Sequence, residues 1–245
     1  MINLLLSDDN LNMSFLIGNA INLKGICSLK PKKIKEISKI GFDKYNFYLS
    51  NLCISSDDIY EFFQWDDDFK NIEPYDFIVA NMINDESFKH NILEGLCFFL
   101  ENVVTLSVKN EDVEFYMIKN KKINRSNFNF FIDVLKRQNC ITDNGKKKLV
   151  PKNDAQKKMF IKLKENRSKY NSENNNNIID IISSVCAKHP SINLSNVGDL
   201  SMYQLIDQYK RLNLIDEYFI NINSLMHGAS GDNVKIKHWS SKQSN

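Results

Sequence analysis

The spacing of apolar positions predicts a mainly helical chain. After Pro31, Ile34, Ile37 and Ile40 recur at helical intervals, and proline suits the first turn because its missing N–H has no intrahelical partner there. Gly41 is expected to end this helix. Asp43 should cap a second one, whose Tyr45, Tyr48, Leu49 and Leu52 share a face, and Ser56 a third that runs from Asp57 to about Trp65. Pro74 opens a helix holding Phe77, Ile78 and Met82. From Asp85 or Ser87 onward, Phe88, Ile92, Leu96 and Phe99 lie three or four residues apart, the period of a helix with one buried face.

Two stretches break this period. Residues 103–108 and 113–118 are rich in β-branched and aromatic residues around the polar turn Lys109-Asn110-Glu111-Asp112, which predicts a β-hairpin over about 103–118. It should pack on the next helix, capped by Asn124 or Ser126, through Phe128, Phe131, Ile132 and Leu135, because an isolated two-stranded hairpin is marginal in water. A second small hairpin is expected in the first thirty residues, between Phe15-Leu16-Ile17 and Ile21 to Ile26 around Gly18-Asn19-Ala20.

Further along, Asn144-Gly145, a lysine cluster and Pro151 mark a connection, followed by a lysine-rich helix from Asp154 to about Tyr170 and the polar run Asn171 to Asn177. Beyond it, Ile178, Ile179, Ile181, Ile182 and Val185 are too continuous for a surface helix and suggest the centre of a small bundle. His189-Pro190 should stop this helix. Ser201 should cap a long one reaching Met226, with Gly228 at its end. The organisation expected is therefore mainly α with some β (α+β): a helical domain with a β-hairpin over 1–141, a basic connector helix and Asn-rich linker over 142–177, and a C-terminal helical domain with a polar tail over 178–245.

Composition fits an ordinary globular chain: of 245 residues, 42% are hydrophobic and 25% charged, with 32 Lys+Arg against 30 Asp+Glu. That near balance conceals a separation. Between Asp57 and Glu114 fifteen acids face three lysines, a net of −12, whereas Lys146 to Lys169 holds ten bases against two acids, a net of +8. Such asymmetry favours contact with another charged protein or a second copy of the chain, although solvated helix faces produce it too. Five widely spaced cysteines, never in CxxC, read as reduced thiols, and no apolar run is long enough to span a bilayer or serve as a signal peptide. A cytosolic location is expected.

Candidate chemistry is sparse. The four histidines, 90, 189, 227 and 238, show neither HxxxH nor HxH spacing, so His227, His238 and Asp232 make a poor metal set. Asp66-Asp67-Asp68 lacks the alternation of a calcium loop and reads as a polar helix end. No GxxxxGK[ST], GxGxxG or GxSxG occurs. The chain is expected not to be an enzyme and to need no cofactor. Lys146, Lys147, Lys148, Lys157, Lys158, Lys162 and Lys164 form a candidate basic contact segment, but only Phe160 and Tyr170 accompany it as aromatics, where single-strand binding uses several.

The order of segments carries a resemblance. The Ile-rich helix after Pro31 with Gly41 and Tyr45-x-x-Tyr48-Leu49 comes first, then Glu73-Pro74-Tyr75-Asp76, Leu96-Cys97-Phe98-Phe99 and Ile123-Asn124-Arg125-Ser126-Asn127-Phe128. The closing motifs are Asp199-Leu200-Ser201-Met202-Tyr203-Gln204-Leu205 and Lys237-His238-Trp239. Over about residues 31–240 the chain resembles proteins encoded in the tail-morphogenesis clusters of tailed phages and prophages of Gram-positive, low-GC bacteria. That resemblance implies a tail assembly chaperone or associated tail factor, binding the tape-measure protein in the bacterial host cytoplasm. It implies no catalytic residues.

An adaptor of this kind would hold an amphipathic helix through anchors at i, i+3, i+4 and i+7. Tyr203, Tyr209, Tyr218, Phe219 and Trp239 are the candidate partner-binding surface, with core packing as the competing role for each. Two other functions compete: a structural tail or baseplate component retained in the virion, and a nucleic-acid-binding regulator using residues 146–169.

Overall fold

The first apolar cluster of the chain folds as a helix. In the computed structural model, which describes residues 8–109, 112–117, 121–141, 150–151, 153–162, 177–228 and 236–241, helix α1 spans Asp8–Ile17 and buries Leu11 and Phe15, one turn apart. The expected pairing of Phe15-Leu16-Ile17 in a hairpin is thereby corrected: the hairpin lies later, as β1 (Ile21–Leu23) and β2 (Cys27–Leu29). Two features cause the shift. Leu11 and Phe15 supply an i, i+4 pair that only a helix places on one face, and Gly25, at φ 79°, reverses the chain two residues after Leu23. Ile21, Leu23, Cys27 and Leu29 then point inward while Asn22 and Ser28 face solvent.

The next elements follow their caps. Helix α2 (Ile34–Ile40) begins later than Pro31, at Lys33, whose N–H is accepted by the Glu36 carboxylate at 2.9 Å. Gly41, at φ 89°, separates it from α3 (Phe42–Leu52) and itself holds the N-cap position expected of Asp43, which falls in the first turn. Helix α4 (Ser56–Phe62) is capped by Ser55, one residue before the expected Ser56. Ser55 Oγ accepts the Asp58 N–H at 3.2 Å, and Asp58 Oδ2 accepts the Ser55 N–H at 3.0 Å. A short 3₁₀ turn at Asp67–Phe69 precedes α5 (Pro74–Asn84), and Asp85 caps α6 (Glu86–Leu100) by accepting from the Ser87 and Phe88 amides.

The hairpin forms as expected, from β3 (Thr105–Lys109) and β4 (Asp112–Met117) with Leu106 opposite Phe115, and gains a third antiparallel strand, β5 (Lys121–Ile123). Phe115, Met117 and Ile123 face α7 (Arg125–Gln138), whose Phe128, Phe131 and Leu135 are buried beneath them. Asn124 caps α7. Within the lysine-rich segment, residues 154–162 are helical and are termed α8.

The final helices are α9 (Ile178–Lys188) and the unbroken α10 (Met202–Met226), whose cap Ser201 accepts the Gln204 N–H at 3.2 Å. Helix α9 is peripheral, not central. Only Val185 of its residues is buried, Ile179 is 67% exposed, and the other isoleucines cover the flank of neighbouring helices. The N-terminal half of α10 takes the interior place: Met202, Leu205 and Leu212 join Phe15, Tyr45, Phe99 and Phe131 in one continuous apolar cluster. A backbone bridge between Lys33 and Ser201 and a hydrogen bond from the Ile34 N–H to the Leu200 carbonyl at 2.8 Å fix α2 against the entry to α10. The chain is thus mainly α, with sheets of two and three strands.

Candidate protein-binding cleft

Helices α3 and α4 are joined by three residues, and between them lies an open trough of about 690 Å³. Along α3, Phe42, Tyr45 or Asn46, Leu49 and Cys53 recur every three or four residues, so one helical ridge forms a whole wall. Ile54, from the connection, and Asp58, Glu61 and Phe62 of the short α4 complete the opposite side. Met202 and Ile141 close the floor. The lining is predominantly apolar, and Phe62 stands 72% exposed at the rim.

One buried polar pair anchors this floor. Tyr45 Oη donates to Asn139 Oδ1 at 2.6 Å, and Asn139 Nδ2 donates to the Leu135 carbonyl at 2.7 Å, which ties α3 to the end of α7. Burial, reinforced by the neighbouring Cys140 and Cys53, pushes the Tyr45 phenol far above its ordinary pKa. Burial also pushes the Cys140 thiol up to about 11 and the Cys27 thiol to about 12. All five cysteines are free thiols. Burial keeps the Tyr45 phenol and the Cys27 and Cys140 thiols neutral.

The residues singled out from sequence divide. Tyr203 packs on Phe15, with ring centroids 5.3 Å apart, and Tyr209 lies along the edge of the core. Tyr218, Phe219 and Trp239 do gather: the His238 ring lies 5.2 Å from Tyr218 and 5.3 Å from Trp239, and Phe219 lies 5.7 Å from Tyr218. Arg211 Nη1 holds the tail there by donating to the carbonyls of Trp239, at 2.5 Å, and Ser241, at 3.1 Å.

Of the basic segment, Lys146, Lys147, Lys148 and Lys164 lie outside the described residues. Lys157 donates to the Trp65 carbonyl at 3.2 Å, whereas Lys158 and Lys162 are exposed. The acidic cluster serves local geometry: Asp66 accepts the Asp68 N–H at 3.2 Å and Asp67 accepts from Tyr60 Oη at 2.9 Å. His90 pairs with Glu94 at 3.3 Å, and His189 Nδ1 accepts the amides of Ser191 and Ile192. Among the described residues no three His, Cys, Asp or Glu side chains converge as a metal site, and no helix is long and apolar enough to cross a membrane.

Sequence reasoning missed the cleft. Its one legible sign is Phe62, three residues after the buried Ile59, at the C-terminal end of a short capped helix.

The arrangement is that of a helical protein with an open apolar trough. Residues 167–244 match the family model of the YomV second domain, a phage-type family, so the C-terminal third of the chain is similar to a phage protein domain. No match is found among curated proteins or among solved structures.

Proposed function

We propose that the protein works by non-covalent binding of another protein, as a phage tail assembly factor whose client is the tape-measure protein or another tail component. The observation that carries this reading is the trough between α3 and α4, open and apolar with Phe62 at its rim. Covering a large aromatic side chain contributes about 2–3 kcal/mol, and contiguous apolar surface left open on a folded protein marks interaction sites. The tail assignment draws on the order of motifs over about residues 31–240 and on the similarity of residues 167–244 to a phage-type family. Binding would take place in the host cytoplasm before tails are complete.

The test is capture of tagged protein from infected or induced cells with mass spectrometry of what is retained. A tail protein should co-purify with the wild type and be depleted with Phe62→Ala. Retention of no tail protein would remove the reading. Purified particles provide the second arm: an assembly factor is absent from them, and a stoichiometric band would make the protein a virion component instead.

A further inference from the structure

We infer that two copies of the chain pair edge to edge through β3, antiparallel and in register about Ser107, to form one continuous six-stranded sheet. No β3 residue lines the trough, so this contact stands or falls separately from the protein-binding reading.

The open edge follows from the order of strands. In the sheet β3-β4-β5, β3 has β4 on one side and no strand on the other. Lys109 pairs with Asp112 across a two-residue turn, and bonded pairs alternate along an antiparallel ladder. Thr105, Ser107 and Lys109 therefore direct their amides and carbonyls to β4, while those of Leu106 and Val108 point outward. Such a row of main-chain groups is a template for one more strand. The opposite edge is managed differently. Strand β5 has three residues, two of them lysines, and Lys121 Nζ donates to Asn22 Oδ1 of β1 at 3.2 Å. The Val113 carbonyl, which β5 does not reach, accepts from the Tyr75 hydroxyl. Strand β3 runs for five residues with neither proline nor bulge, and its single charged residue is the last.

The order of residues in β3 selects a second copy as the occupant. Antiparallel pairing about Ser107 sets Leu106 opposite Val108 of the other copy, and Val108 opposite Leu106, so outward-pointing groups meet as bonded pairs and apolar residues meet apolar ones. Ser107 stands opposite its own counterpart, and Thr105 opposite Lys109. No like charges oppose each other. The two Lys109 residues are four positions apart, about 13 Å along the strands, which exceeds the screening length of about 8 Å at physiological salt. A twofold contact must be complementary to itself, and the run from Thr105 to Lys109 meets that condition in this register.

Sedimentation velocity of the full chain tests the pairing. A monomer–dimer equilibrium should appear between about 1 and 100 μM, the weak end of the range for a small interface. Ser107→Lys places like charges face to face and should weaken the dimer about fivefold. About 1 M salt should restore part of that loss, which a merely damaged strand would not show. Ser107→Cys reads the register: as a non-bonded pair, the two residues 107 have Cα atoms about 4.5 Å apart, within disulfide reach. Mild oxidation should cross-link this variant, and neither wild type nor Thr105→Cys, whose counterpart is about 13 Å away, should follow. Thermal unfolding checks that each variant folds. A wild type that stays monomeric at about 100 μM would overturn the inference. So would a dimer that Ser107→Lys leaves intact and Ser107→Cys does not cross-link, because the contact would then lie elsewhere. A monomer from which Ser107→Lys strips a co-purified protein would give the edge to a strand of that protein and overturn the pairing of copies.

Discussion

Phe160 and Trp65 face each other with ring centroids 6.2 Å apart, and one turn away Lys157 donates to the Trp65 carbonyl at 3.2 Å. These contacts hold helix α8 against the residue that ends α4. Gln64 and Trp65 both adopt left-handed backbone, at φ 54° and 57°, which ends α4 abruptly and turns the indole inward. A side-chain contact that holds two such residues is worth disrupting.

Phe160→Ala should free α8 from the body at a cost of about 1–2 kcal/mol, the apolar area of a half-buried aromatic. In a Trp239→Phe background, Trp65 emission should shift to the red and trypsin should cut the lysine-rich segment faster. Unchanged emission together with unchanged cleavage would show that the ring pair does not hold the helix.

Tyr45→Phe should destabilise the protein by about 1–2 kcal/mol, since it leaves the buried Asn139 Oδ1 without its donor while preserving the ring's packing. Denaturant midpoints of wild type and variant measure it. Both residues line the trough, so the variant should also capture less tail protein, and a stable variant with full capture would separate this pair from the site.

How much could be read beforehand depended on how local the deciding interaction is. Asp85, Asn124 and Ser201 are tied to residues within three positions, Pro74 lacks the N–H that a first helical turn leaves unpaired, and each marks the helix start that the structure shows. Lys121-Lys122-Ile123 carries almost no apolar alternation and becomes a strand only because Phe115 and Tyr116 pair with it. Tyr203 and Tyr218 look alike within α10, yet Phe15 covers one and the tail's His238 lies against the other. The trough was illegible for the same reason. Its sides are ordinary helices, and the lining is completed by Asn139, Ile141 and Met202, contributed from distant parts of the chain.

Gly95 tests the close approach of α3 and α6. A Cβ there would lie 3.2 Å from Cβ and Cγ of Tyr48, whose hydroxyl donates to Glu94 at 2.8 Å. Gly95→Ala gains about 1 kcal/mol of helix propensity and loses some of it to this crowding. Gly95→Val adds branches that must push Tyr48 aside, and should cost about 2 kcal/mol. Thermal unfolding of both variants decides it: a valine variant as stable as the alanine one would mean the two helices can part without penalty.

Acid should weaken the three-stranded sheet through Glu114. On β4, its carboxylate accepts from Lys122 Nζ at 2.6 Å, from the Tyr116 hydroxyl and from Asn124 Nδ2 at 3.4 Å, and these bonds, led by Lys122, hold its pKa down to about 2 from an ordinary 4.5. The folded state resists the proton that the unfolded chain accepts readily. Stability from this group is therefore present above the unfolded pKa of about 4.5 and is lost as pH falls from there through about 2. Asp199 beside Lys35, Glu94 beside Tyr48 and Lys44, and Glu101 beside Lys32 are depressed in the same direction and should add to the acid limb. Glu114→Gln isolates one contribution. Its melting temperature should fall below that of the wild type at neutral pH, and the gap should close as pH falls through about 2, where the wild-type carboxyl itself takes up its proton. A gap that stays constant between pH 7 and 2 would mean that Glu114 contributes by packing and neutral hydrogen bonds, with its charge having no net effect on the sheet.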